Sequence, residues 1–158
     1  MIRTAAQRLR RIRCYLSLVI LGLVVSGATA IPLQTELRLA ARYVEHPWII
    51  KVRDGLTDTY AKYPFIGYGT DWLAFGHFVI AIAFIGPWRN PVKNIWVVEF
   101  GMIACLLLVP YAFIMGEVRG IPWGWRLIDC SFGVFGILPL WLCQREIKAL
   151  TRDSSAST

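Results

Sequence analysis

Long apolar runs alternate with short charged stretches along the chain. Residues 14–31 are almost continuously apolar and follow a start rich in arginine; residues 71–87, 94–116 and 122–143 form three further runs. Pro87-Trp88-Arg89-Asn90-Pro91 and Gly116-Glu117-Val118-Arg119-Gly120 separate the last three. A hydrocarbon core of ~30 Å takes about 20 helical residues, and each run reaches or approaches that length. In lipid a segment must satisfy its own backbone hydrogen bonds, which favours helices. The pattern therefore predicts an all-α, polytopic integral membrane protein: a four-helix transmembrane bundle forming one membrane domain over residues 1–158. Pro110 falls inside the third run, where a missing N–H frees a carbonyl and predicts a kink. Ser154-Ser155-Ala156-Ser157-Thr158 is expected to fray.

Residues 32–70 are too polar for the membrane core but keep a helical period. Leu33, Leu37, Ala40, Ala41 and Val44 recur on one face, with Glu36, Arg38, Arg42 and Glu45 between them. After His46-Pro47 the pattern resumes through Trp48, Ile49, Val52, Leu56 and Tyr60, with Lys51, Arg53, Asp54 and Asp58 opposite. Two short amphipathic helices follow, placed on the outer side, the second starting at Pro47, which suits a first helical position. Tyr63-Pro64 and Gly67-Tyr68-Gly69 predict a loop.

The first run carries a competing reading. Basic residues, a short apolar stretch and Ala28-Thr29-Ala30 also resemble a secretory signal with a cleavage site. The apolar run continues to Ile31, which favours an uncleaved helix. The Arg-rich, acid-free start also resembles a mitochondrial presequence. Either secretory reading puts residues 32–70 outside.

Composition agrees: 56% of residues are hydrophobic and mean hydropathy is +0.53, above the soluble-domain norm of roughly half apolar. Trp72 and Trp88, and likewise Trp125 and Trp141, stand about 24 Å apart at ~1.5 Å per helical residue, as two interfacial aromatic belts would. The net charge of +7 is not a nucleic-acid signal. Arg3, Arg8, Arg10, Arg11 and Arg13 instead precede an apolar run, where they hold a helix end in the cytoplasm. With Arg89, Lys93, Arg145, Lys148 and Arg152 they outnumber the outer Arg38, Arg42, Lys51, Arg53, Lys62, Arg119 and Arg126. The reading is an inner (cell) membrane protein with both termini cytoplasmic. Its partners are the lipid bilayer and either a membrane protein or a second copy; nucleic acid is not among them.

Ionisable side chains inside a span are costly, so each needs a partner or a purpose. His77 and Asp129 fall at nearly the same depth in the outer third, with Tyr111 close to that level. Asp129 shares a face with Gly133 and Gly136, the small residues that mark close helix approach. Arg126 stands one turn away and could pair with Asp129. The functional reading is an outward-facing polar pocket with His77 as acid, base or ligand and Asp129 fixing its tautomer. The plainer one is that Asp129 is neutralised by Arg126 or His77 and sets helix register. Asp71, Glu117 and Arg119 ring the mouth. Glu99, near the opposite end, is either a paired carboxylate met by Lys93, Arg89 or Arg145, or a proton-handling group opening inward.

No cofactor or metal is assigned. One His with one or two carboxylates is an incomplete metal shell, and His46 is too remote for a second haem ligand. Cys14, Cys105, Cys130 and Cys143 show no zinc spacing and read as small apolar packing residues. No P-loop, GxSxG, HExxH or dinucleotide fingerprint occurs. Pro122-Trp123-Gly124-Trp125 with Tyr60, Tyr63, Phe65 and Tyr68 suits interface anchoring or a quinone or lipid-headgroup surface.

The stretch from Tyr63-Pro64-Phe65 through Asp71-Trp72-Leu73-Ala74-Phe75-Gly76-His77 to Arg126-Leu127-Ile128-Asp129-Cys130 resembles small bacterial membrane proteins and brings no activity with it. Two functions stay open. One is a non-enzymatic membrane subunit or a lipid- or partner-binding protein. The other is a small intramembrane enzyme or proton-coupled carrier using His77, Asp129, Arg126 and Tyr111.

Overall fold

The computed structural model describes residues 4–155, whose regular structure is entirely helical. Arg3 and residues 156–158 lie outside the described residues. In chain order the helices are α1 (Ala5–Ala30), α2 (Leu33–Tyr43), α3 (Pro47–Lys62), α4 (Tyr68–Ala83), α5 (Ile85–Arg89), α6 (Ile95–Val118) and α7 (Trp123–Ser155). Four helical stretches are long and apolar enough to cross a membrane: Ala5–Ala30, Pro64–Arg89, Ile95–Val118 and Trp123–Asp153. The chain is a helical membrane protein.

Two ends differ from expectation. α1 begins well before residue 14 because Thr4 and Gln7 cap it reciprocally. The Thr4 N–H donates to Gln7 Oε1 at 3.0 Å, and the Gln7 N–H donates to Thr4 Oγ1 at 3.3 Å. It then runs unbroken through Ala28-Thr29-Ala30. α7 does not stop at residue 143; it continues to Ser155, the second residue of the stretch expected to fray, whose last three residues lie outside the described ones. α6 stays one helix through Pro110, and α7 likewise through Pro139.

The expected amphipathic pair is α2 and α3. His46 ends the break between them by accepting the Trp48 N–H at its Nδ1, 3.2 Å away, and Pro47 takes the first helical position. The expected loop is shorter than drawn: Pro64–Gly67 form a 3-10 turn that leads straight into α4. Pro87, which cannot donate to the carbonyl one turn earlier, follows the break at Phe84 that separates α4 from α5. The next turn is held by Asn94, whose Nδ2 donates to Gly86 O at 3.2 Å and to Asn90 O at 2.9 Å.

The chain divides into two compact units. One comprises residues up to Ile20 together with 82 onward; the other is Leu21–Ala81. In the first unit α6 and α7 are the most extensively packed pair. They meet at glycines, where a Cβ built at Gly133 would stand 2.8 Å from Cys105 O and one at Gly136 2.9 Å from Cys105 Sγ. Gly101 admits the rim of Phe84 in the same way. The buried core of this unit holds Ile12, Leu16, Phe84, Val98, Leu140, Cys143 and Ile147. In the second unit Gly27 of α1 lies against Ala74, His77 and Phe78 of α4.

Candidate functional site

Within the Leu21–Ala81 unit, the end of α3, the 3-10 turn and the first turn of α4 enclose an open cavity of about 470 Å³. Ile31, Tyr60, Pro64, Phe65, Gly67, Tyr68, Thr70 and Asp71 line it. The local sequence explains the shape. Pro64 fixes the backbone at the start of the turn. Gly67 lets the Tyr60 ring lie close, since a Cβ there would stand 3.3 Å from it. Thr70 Oγ1 donates to Gly67 O at 2.7 Å and ties the turn to α4. Edge-to-face pairs hold the surrounding rings: Tyr63 with Phe65 at 6.1 Å, Tyr68 with Trp72 at 5.9 Å, and Trp72 with Phe75 at 5.6 Å. The lining thus combines three aromatic side chains, a hydroxyl and the exposed carboxylate of Asp71.

His77 belongs to this same unit. Its Nδ1 lies 2.8 Å from Leu73 O, a carbonyl that only accepts, so Nδ1 is the donor, and in the neutral tautomer the lone pair falls on Nε2. The tautomer is therefore set by the backbone one turn earlier, where the sequence suggested Asp129.

Asp129, Arg126, Tyr111 and Glu99 belong to the other unit. Arg126 pairs with Glu117 and not with Asp129. Its Nη1 stands 2.6 Å from Glu117 Oε2, and its Nε donates to Ile121 O at 2.7 Å. Its stem crosses Gly116, where a Cβ would come within 2.7 Å. This closes a Schellman turn at the end of α6. Gly120 takes a φ of +63°, its N–H donates to Glu117 O, and the Ile121 N–H donates to Gly116 O. Asp129 is exposed and makes no hydrogen bond or ion pair among the described residues. Tyr111 is 66% exposed. Glu99 meets none of the three cations proposed for it; Gln144 Nε2 donates to its Oε1 at 3.0 Å. Trp123 stacks at a tilt on Phe113, with centroids 4.9 Å apart. Among the described residues no three His, Cys, Asp or Glu side chains gather as a metal site, and the four cysteines are free.

Sequence reasoning missed an ion-pair cluster at the amino-terminal end of α1. Arg8 reaches Glu146 at 3.0 Å and Asp153 at 3.0 Å, and Arg11 reaches Glu146 at 3.4 Å. Glu146 is only 5% exposed. The signal was present as Leu140, Cys143 and Ile147, whose helical spacing carries the apolar stripe of α7 into its polar end. The chain matches no protein-family model, no curated protein and no solved structure.

Proposed function

We propose that the protein is a non-enzymatic, lipid-binding protein of a bacterial inner membrane, with both termini cytoplasmic and the cavity on the outer side. The observation that carries this reading is the aromatic cavity between α3 and α4 with Asp71 at its wall. A volume of about 470 Å³ falls within the range typical of small-ligand sites. Aromatic faces beside a carboxylate suit an ammonium-bearing headgroup, through cation–π attraction and charge. Basic residues near both termini support the orientation. Two of the candidate polar residues have structural partners: Arg126 locks a turn and Glu99 bonds Gln144.

Native mass spectrometry of the protein in mild detergent with phosphatidylethanolamine tests it. The wild type should retain the lipid, and Tyr60→Ala with Tyr68→Ala should weaken retention about fivefold, the loss of roughly 1 kcal/mol of ring contact. Equal retention by both proteins removes the reading.

A second reading, an intramembrane enzyme or proton-coupled carrier, draws on one observation: His77 is held through Nδ1 by Leu73 O, which leaves Nε2 free of that bond. On that reading His77→Ala and Asp129→Asn abolish activity while expression and detergent stability stay near wild type. On the first, His77→Ala lowers folded yield, because it removes the ring whose Nδ1 is held by Leu73 O.

A further inference from the structure

The basic start of α1 is divided between two faces. At 3.6 residues per turn the buried Ile12 and Leu16 define a stripe, with Arg8 and Arg11 flanking it on one side. Arg13 flanks it on the other, and Arg10 shares the side of Arg13. The first flank is neutralised, since Arg8 and Arg11 hold Glu146 and Asp153. The second has no acid: among the described residues neither Arg10 nor Arg13 makes an ion pair. Glu99, the remaining carboxylate on the nearby part of α6, is bonded by Gln144.

A built surface adjoins this second flank. Trp88 Nε1 donates to Ser17 Oγ at 3.1 Å, which fixes the indole beside α1. The Arg13 guanidinium carbon then lies 5.1 Å from the centroid of the Trp88 ring. Arg89 follows Trp88 directly, and Lys93 stands in the next turn. That turn is held by Asn90 Oδ1, which accepts the Lys93 N–H at 3.1 Å, and by the Asn94 bonds to Gly86 and Asn90. Arg10, Arg13, Trp88, Arg89 and Lys93 are all exposed, and so is the apolar Ile85 one turn before Trp88.

We propose that Arg10, Arg13, Arg89 and Lys93, arranged around Trp88, bind the phosphate headgroup of an anionic phospholipid, with Ile85 meeting the start of its acyl chain. Charge complementarity selects this occupant. Four uncompensated cations beside an interfacial indole match a negative headgroup at the edge of the hydrocarbon, and basic pockets between membrane helices hold such lipids. Guanidinium groups take phosphate oxygens in pairs, so arginines at three of the four positions suit a phosphodiester. The site is separate from the aromatic cavity and does not depend on it.

The test uses the full chain in mild detergent, with bound lipid counted by native mass spectrometry against an equimolar mixture of phosphatidylglycerol and phosphatidylcholine. The wild type should favour phosphatidylglycerol by about tenfold or more, and the preference should shrink as ionic strength rises. Arg13→Gln with Arg89→Gln should bring the ratio close to even, whereas Lys148→Gln with Arg152→Gln should leave it unchanged. Should the first variant fold poorly, Arg10→Gln alone, on an exposed residue, should lower the ratio about threefold. No preference in the wild type, a preference insensitive to salt, or an equal loss in the Lys148/Arg152 variant overturns the proposal. Preference for an acidic peptide over phosphatidylglycerol in a competition arm overturns it too.

Discussion

Single residues decide where helices approach and where side chains are committed. Gly133 and Gly136 both lie on the α6-facing side of α7, but what each meets differs. A methyl at 133 would push on the Cys105 carbonyl, which is backbone inside α6 and has little room to move. At 136 it would push on the Cys105 thiol, which can turn aside. Gly133→Ala should therefore destabilise by about 1–3 kcal/mol, the usual cost of overpacking, and Gly136→Ala by less than half of that. Thermal unfolding in detergent, followed by tryptophan fluorescence, checks the order; no loss at either position would mean that α6 and α7 do not touch there. The close approach marked by Gly133 and Gly136 was readable from spacing; the exposure of Asp129 on the same face was not. The pairing of Arg126 was not, because i, i+3 proximity to Asp129 competes with a turn whose geometry depends on Gly120 at positive φ. A carbonyl and a carboxylate presented together at that turn outweigh one neighbouring carboxylate.

Among the elements, α2 and α3 were legible because amphipathic period and a proline start both survive averaging along the sequence. The reach of α1 and α7 was not. Hydropathy reports where a helix leaves lipid, whereas Thr4 and Gln7 decide where α1 begins, and Leu140, Cys143 and Ile147 keep α7 packed beyond its apolar run. The two polar ends then need each other: Glu146 is buried against Arg8 and Arg11 beside Ile12 and Ile147. Removing one partner of a fully buried ion pair costs ~3–5 kcal/mol. Here Arg8 keeps Asp153 and Arg11 is 43% exposed, so Glu146→Ala should lose about 2 kcal/mol. Asp153→Asn, at a site 49% exposed, should lose less than ~1 kcal/mol. Unfolding in rising dodecyl sulfate measures both. A larger loss for Asp153→Asn would place the ionic tie at the helix tip and not at Glu146.

For the whole molecule the governing fact is what the protein leaves uncovered. Only 17–22% of the residues in the four apolar windows are buried within the chain. Leu106, Leu107, Ile114, Phe132, Val134 and Phe135 are all more than half exposed. Burying such a side chain is worth about 1.5–3 kcal/mol each, far too much to forgo in water, so lipid is their solvent. At ~1.5 Å per residue the 33 residues of α7 span about 50 Å, against a ~30 Å core, so its charged end must stand clear of the hydrocarbon. The same end gathers Arg8, Arg11, Glu146 and Asp153 in ion pairs and leaves Arg10, Arg13, Arg89 and Lys93 as net positive charge. Positive flanks stay on the cytoplasmic side. Cys14 is exposed and would label by itself, so a Cys14→Ser background is required. In it, Asp58→Cys and Arg119→Cys should react with an impermeant maleimide on intact cells. Lys93→Cys and Arg152→Cys should react only after permeabilisation. The reverse pattern overturns the proposed orientation. Reaction at all four positions on intact cells would mean that the helices do not cross the membrane.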